Sequence, residues 1–226
     1  MIMPAGKLIV IDGTDGSGKA TQVALLAERL KQKGHSVTVV DFPRYGQPSA
    51  YFVEQYLNGR YGSLAQIGSY EASLFFALDR YDAAPDMKRA LADGAIVLSN
   101  RYVSSNMGHQ AAKITDANER RKLYTWLHEL EYKILGIPQP DLSVILHLAA
   151  STGQKLVEKK GFRQYLDGHK KDLHESDLSH LQAAERVYLE IAAMYNYEVV
   201  ECEREGVLMT PDEISALIWQ IVTKIV

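Results

Sequence analysis

Residues 7–22 read KLIVIDGTDGSGKATQ: an apolar run from Leu8 to Ile11, a glycine-rich stretch from Gly13 to Lys19, and the start of a helical pattern. A short apolar run closed by a glycine turn fits a parallel strand buried on both faces. Val23, Leu26, Ala27 and Leu30 then recur at i, i+3, i+4 and i+7, and Gly34 after Lys31 and Lys33 supplies a C-terminal stop. The stretch between strand and helix has the spacing G-x-x-x-x-G-K. Such glycines let backbone N–H groups curl around an anion, the helix N-terminus adds its positive dipole end, and the lysine reaches the outer phosphates. Gly13, Asp15, Gly16, Ser17, Gly18, Lys19, Ala20 and Thr21 are therefore expected to hold the phosphates of a nucleotide. One position departs from the pattern: after the lysine a Ser or Thr hydroxyl normally ligates Mg²⁺, and here stands Ala20. Either the cation is held through water and other carboxylates, with Asp15 and Glu175 the first candidates, or the loop binds nucleotide without catalysing transfer.

Working outward, residues 36–42 (SVTVVDF), 94–99 (GAIVLS), 141–148 (DLSVILHL) and 197–202 (YEVVEC) read as four more strands. Helical patterns separate most of them. One helix is expected over roughly 64–79 with Ile67, Leu74 and Leu78 on its apolar stripe. Another carries Leu123, Trp126, Leu127, Leu130 and Ile134, and a third Leu181, Ala184, Tyr188, Ile191 and Tyr195. Thr210, Pro211 and Glu213 announce the last with an N-cap, a first-turn proline and a capping-box acid. Five strands alternating with helices imply an α/β sandwich, a five-stranded parallel sheet with helices on both faces and right-handed crossovers, and the phosphate loop makes it one of the P-loop NTPase type. The 226 residues fit one domain, 1–226, with a flexible basic lid at about 151–175.

Composition narrows the function classes. With 46% hydrophobic and 23% charged residues the chain is globular. Its 25 Lys+Arg against 28 Asp+Glu give a net charge of −3, too little positive field for a nucleic-acid polymer. The apolar runs are too short for a membrane span, and a single cysteine, Cys202, with no opening signal-peptide pattern, points to the cytoplasm.

Two arginines stand at strand ends, the edge where open α/β sheets bind ligands: Arg44 in Phe42-Pro43-Arg44-Tyr45-Gly46, and Arg101 just past the third strand. Beside a phosphate loop they read as bidentate forks for a second phosphate. Phe76 lies about 200° around its helix from Leu74, off the apolar stripe, and Arg80 is its i+4 neighbour. A ring with an adjacent guanidinium suits a stacked nucleobase hydrogen-bonded at its edge. Tyr102, Asn106 and His109 share a face that approaches the same pocket. The segment 151–175, with Lys155, Lys159, Lys160, Arg163, Lys170 and Lys171, reads as a flap that excludes water and neutralises charge during phosphoryl transfer.

These residues resemble the thymidylate kinases among the nucleoside monophosphate kinases. The resemblance is carried in chain order by IDGTDGSGKATQ (11–22), DFPRYGQ (41–47), LFFALDR (74–80), RYVSSN (101–106), LGIPQPDL (135–142) and DLHESDLSHL (172–181). It implies ATP- and Mg²⁺-dependent conversion of dTMP to dTDP, generally by a homodimer. By matching position it places Lys19 on the ATP phosphates, Asp15 near the monophosphate and sugar, and Arg44 and Arg101 on the dTMP phosphate. Phe76 would stack on thymine, Arg80 and Asn106 meet its polar edge, and Phe42, Ser105 and His109 complete the substrate side. Gly16, where some members carry a basic residue, resembles the type with its catalytic arginine in the flap, here Arg163. Besides Ala20, two positions depart from the family pattern: Asn100 replaces the usual acid before Arg-Tyr, and His109 a residue often aromatic. A kinase for another monophosphate such as dUMP or dGMP, or a catalytically weak nucleotide-binding protein, are the alternatives these departures leave.

Overall fold

A computed structural model describes residues 6–63, 66–158 and 178–226. Strands β1 (Lys7–Gly13), β2 (Val37–Asp41), β3 (Ile96–Asn100), β4 (Leu142–His147) and β5 (Glu198–Glu201) form one parallel sheet in the order β2-β3-β1-β4-β5. All five lie within two residues of the expected positions. A short antiparallel pair, β6 (Glu203–Arg204) and β7 (Val207–Leu208), was not foreseen.

Strand alternation sorts the core into two layers. Leu8 and Val10 of β1 face one side with Val97 and Ile145; Ile9 and Ile11 face the other with Leu98, Val144 and Leu146. The first layer is closed by α3 (Ser69–Ala92), α4 (Val103–Ala111), α5 (Ala117–His128) and α7 (Leu178–Tyr195), the second by α1 (Lys19–Gln32) and α8 (Pro211–Val222). The capping box at α8 forms as read: the Thr210 hydroxyl accepts from Glu213 N at 3.3 Å, and the Glu213 carboxylate accepts from Thr210 N at 2.8 Å. Smaller helices α2 (Tyr51–Leu57) and α6 (Ala150–Glu158) complete the described chain.

Two helical stripes are corrected. The helix expected at 64–79 starts at Ser69 and runs to Ala92, and its buried face is built of Ala72, Ser73, Ala77, Ala83, Ala84 and Met87. Small residues let α3 approach its neighbours closely, so Leu74 and Leu78 face outward, 40% and 48% exposed. After α5 the chain widens into a π-helical turn, Glu129–Ile134. The extra residue per turn rotates Ile134 into solvent, 71% exposed, and brings Glu131 fully inside.

Candidate active site

β1 delivers the glycine loop to the carboxyl edge of the sheet and α1 leaves from it, with Gly18 as N-cap in the left-handed region (φ 86°). Lys19, buried, donates from Nζ to the carbonyls of Thr14 (2.8 Å) and Gly13 (3.1 Å), which holds its ammonium across the loop. At Gly16 (φ 83°) an added Cβ would lie 2.3 Å from the carbonyl oxygen of Gly153, so α6 rests on the loop backbone and leaves no room for a side chain there. The glycine at 16 is thus explained by packing.

Beyond the loop sits a charged centre. Arg101 Nη2 is ion-paired with Asp15 Oδ1, and Nη1 reaches His109 Nε2 at 3.2 Å and Ser105 Oγ at 3.4 Å. Its backbone adopts φ 65°, unusual for a non-glycine residue and typical of strain kept at functional sites. Burial pushes the Asp15 carboxyl up, but the Arg101 and Lys19 charges outweigh it and hold the group well below the usual carboxylate range. Burial, with Arg101 opposing Asp15, lowers His109 to about 3, so its ring is neutral at physiological pH. A guanidinium only donates, so Nε2 accepts and the proton resides on Nδ1.

Asp12 fixes this centre to the sheet. Fully buried, it accepts from Ser104 Oγ (2.6 Å), Ser105 Oγ (2.6 Å), the Tyr188 hydroxyl (3.0 Å) and Gly13 N (2.8 Å). Ser105 is therefore tied between Asp12 and Arg101. Tyr102 turns away from the expected shared face: it precedes α4, its hydroxyl donates to Pro138 O at 2.9 Å, and its ring packs against Phe42.

The same cavity, about 370 Å³, extends from Lys19 past Arg101 to Phe76, Arg80, Asn106 and His109. Phe76 meets Tyr56 edge-on at 6.1 Å and leaves the outward stripe of Leu74 and Leu78, as its helical angle implied. Arg80 is locked by Glu131, Nε to Oε2 at 2.5 Å and Nη2 to Oε1 at 2.6 Å, with both side chains buried. Desolvation works against the Arg80 charge, yet Glu131 more than compensates and raises its pKa. Asn106 donates to Ser73 O (3.0 Å) and Glu131 Oε1 (3.3 Å), while its own Oδ1 is buried with no hydrogen-bond partner among the described residues. Gln110, one turn past Asn106 and also lining the cavity, has neither amide atom bonded among the described residues.

Glu131 and Gln110 were missed from sequence. The i, i+4 spacing of Asn106 and Gln110 was a usable signal; nothing in the residues 129–134 announces a π turn. Phe42, Pro43 and Tyr45 line the cavity, but the Arg44 guanidinium lies to its side, bonded to Asp79 Oδ1 (3.1 Å), Ser49 Oγ (2.7 Å) and Asp82. Arg101 is thus brought into the site, and Arg44 is held beside it on a carboxylate pair. Arg163 and Glu175 lie outside the described residues, as do Lys159, Lys160, Lys170 and Lys171.

The oxygen donors available to a divalent cation follow from this geometry. Ala20 presents a methyl group, and Asp15 Oδ1 is committed to Arg101. Along the strand ends remain the Asp41 carboxylate and Asn100 Oδ1, which is buried without a partner among the described residues. These are hard oxygen ligands and suit Mg²⁺. Among the described residues no three His, Cys, Asp or Glu side chains cluster as a metal cage.

A phosphate loop joined through one cavity to a base-sized aromatic and amide pocket on this sheet defines a P-loop nucleoside monophosphate kinase. The thymidylate kinase family model matches residues 11–210, and the chain belongs to that family. It is 35% identical over 187 residues to the thymidylate kinase of Mycobacterium tuberculosis (strain CDC 1551 / Oshkosh), covering 82% of this chain and 86% of that one. It is 33% identical over 191 residues to that of Caulobacter vibrioides, covering 84% of each. The solved thymidylate kinase of Candida albicans shares the fold, with a TM-score of 0.72 at 23% identity over 97% of this chain and 92% of that one.

Proposed function

We propose that this chain transfers the γ-phosphoryl group of ATP to dTMP, with Mg²⁺, and yields dTDP. The observation that supports this reading most is the continuity of one cavity from Lys19 to Arg80 with the Arg101–Asp15 pair between. ATP phosphates rest on the loop amides and Lys19, and the monophosphate on Arg101. Thymine presents two carbonyl acceptors and one N–H donor; Arg80 and the Gln110 amide offer donors, and Asn106 Oδ1 an acceptor with no partner among the described residues. Phe76 supplies the face for stacking.

Transfer is in line between two bound nucleotides, so positioning and charge neutralisation carry the rate and no enzyme-bound phosphate intermediate is required. Mg²⁺, when held by the oxygen donors at the strand ends, would supply charge neutralisation to the phosphates. Arg101 holds the acceptor phosphate anionic and aimed at ATP. The first part of the expected lid, 151–158, is helix α6 seated on the loop; Arg163, outside the described residues, would add transition-state charge. The outward face of α3, with Tyr70, Leu74, Leu78 and Tyr81 each at least 38% exposed at i, i+4, i+8 and i+11, fits burial by a second copy in a homodimer. The compartment that fits such an enzyme is the cytoplasm.

Lys19→Ala tests the division of labour. Phosphoryl transfer should fall at least tenfold while the dTMP dissociation constant, by calorimetry, stays within about twofold. Loss of dTMP affinity with transfer intact contradicts the assigned geometry.

A further inference from the structure

Both groups that usually bind the cation in phosphate-loop enzymes are replaced here, the hydroxyl after the lysine by Ala20 and the acid on the strand beside the loop by Asn100. Asn100 ends β3, next to β1, and pairs across the sheet with Asp41, the last residue of β2. Asn100 Nδ2 donates to Asp41 Oδ1 at 2.8 Å. A carboxylate only accepts, so this bond sets the amide orientation and leaves Asn100 Oδ1 as a bare carbonyl oxygen. That oxygen is buried, the residue being 8% exposed, and has no partner among the described residues. A buried unpaired acceptor costs roughly 1–3 kcal/mol and calls for a ligand. Both residues line the cavity that contains Lys19 and Arg101. Asp41 is open to solvent, with Oδ2 clear of the Asn100 bond.

We propose that Asp41 and Asn100 together form the protein's anchor for the divalent cation, the carboxylate being displaced by one strand from position 100 to position 41 and the Asn100 carbonyl serving as its second oxygen. This rests on the phosphoryl-transfer reading of the cavity. Asn100 then has two roles: its amide hydrogens orient Asp41, and its oxygen faces the metal. At Asp15 Oδ1 a cation would compete with the Arg101 guanidinium for the same oxygen. Phosphate oxygens and water complete the coordination, as Mg²⁺ sites with one or two protein ligands require.

The test uses Mn²⁺ as a paramagnetic probe, titrated by electron paramagnetic resonance into the full chain with a non-hydrolysable ATP analogue. Asp41→Asn should weaken Mn²⁺ binding on the order of tenfold or more. Metal-free dTMP binding and the melting temperature should hold. The exchanged double variant Asp41→Asn with Asn100→Asp, which restores one carboxylate to the pair, should recover Mn²⁺ affinity. Mn²⁺ binding unchanged in Asp41→Asn overturns the proposal, as does a loss matched by loss of metal-free dTMP affinity, which marks a distorted pocket. Turnover of dTMP is assayed alongside on the unaltered chain. Turnover with Mn²⁺ affinity indifferent to Asp41 defeats only the metal site, whereas Asp41-dependent Mn²⁺ binding with dTMP inert defeats only the substrate reading.

Discussion

Arg80 and Glu131 form a two-bond ion pair in which neither side chain reaches solvent, although 51 residues separate them in the chain. The pair sets the plane of the guanidinium at the base end of the cavity, and Asn106 leans on the same Glu131 oxygen. Glu131 therefore positions two groups that meet the substrate and is itself a positioning residue.

Glu131→Gln should destabilise the fold by about 3–5 kcal/mol, because it leaves the Arg80 charge buried without its counter-charge. Chemical denaturation measures this. In kinetics the dTMP KM should rise more than kcat falls, since the substitution loosens binding groups and leaves the phosphate loop untouched. An unchanged dTMP KM in folded protein would detach Arg80 from base recognition.

Gly16→Ala should strain the loop in two ways. The left-handed backbone alone costs about 1–2 kcal/mol with a Cβ, and the added carbon meets the Gly153 carbonyl at 2.3 Å. α6 must lift off the loop, so the ATP KM should rise while dTMP affinity holds. Unaltered ATP kinetics would show that the seating of α6 is irrelevant to the nucleotide.

His147 predicts a pH-dependent stability. At the end of β4 its ring bonds Glu201 Oε2 (2.6 Å, Nδ1) and Glu185 Oε1 (3.2 Å, Nε2), and Glu185 also accepts from Ala150 N at the start of α6 (2.8 Å). Burial lowers the imidazole pKa, but the two carboxylates prevail and raise it above 6.5. A raised folded-state pKa gives stability fully present below about pH 6.5 and lost as pH rises through the folded value. The melting-temperature difference between the unaltered chain and His147→Gln should thus shrink between pH 5.5 and 8.5. A difference flat across that range would remove the ion-pair explanation.

The parts legible in sequence were those encoded locally. The loop from Gly13 to Lys19 carries its chemistry in glycine spacing, the strands in short apolar runs, and Phe76 betrays its direction by helical angle. What escaped depends on distant partners. Arg44 finds Asp79 and Asp82 some 35 and 38 residues away, and Asn100 finds Asp41 only because β2 and β3 pair in that register. Leu74 and Leu78 look like a core stripe because period alone does not reveal that alanines on the opposite side pack more closely. Glu131 follows Leu130 in what reads as an apolar stripe, and only the π turn rotates it inward.

A coupled assay with ATP and Mg²⁺ across dTMP, dUMP, dCMP, dGMP and their ribonucleotide counterparts decides the substrate. dTMP should show the highest kcat/KM. dCMP should fall at least tenfold behind, because its exocyclic amine opposes the Arg80 donors and its ring nitrogen leaves Asn106 Oδ1 without a donor. Turnover of another monophosphate with dTMP inert would contradict the proposed function.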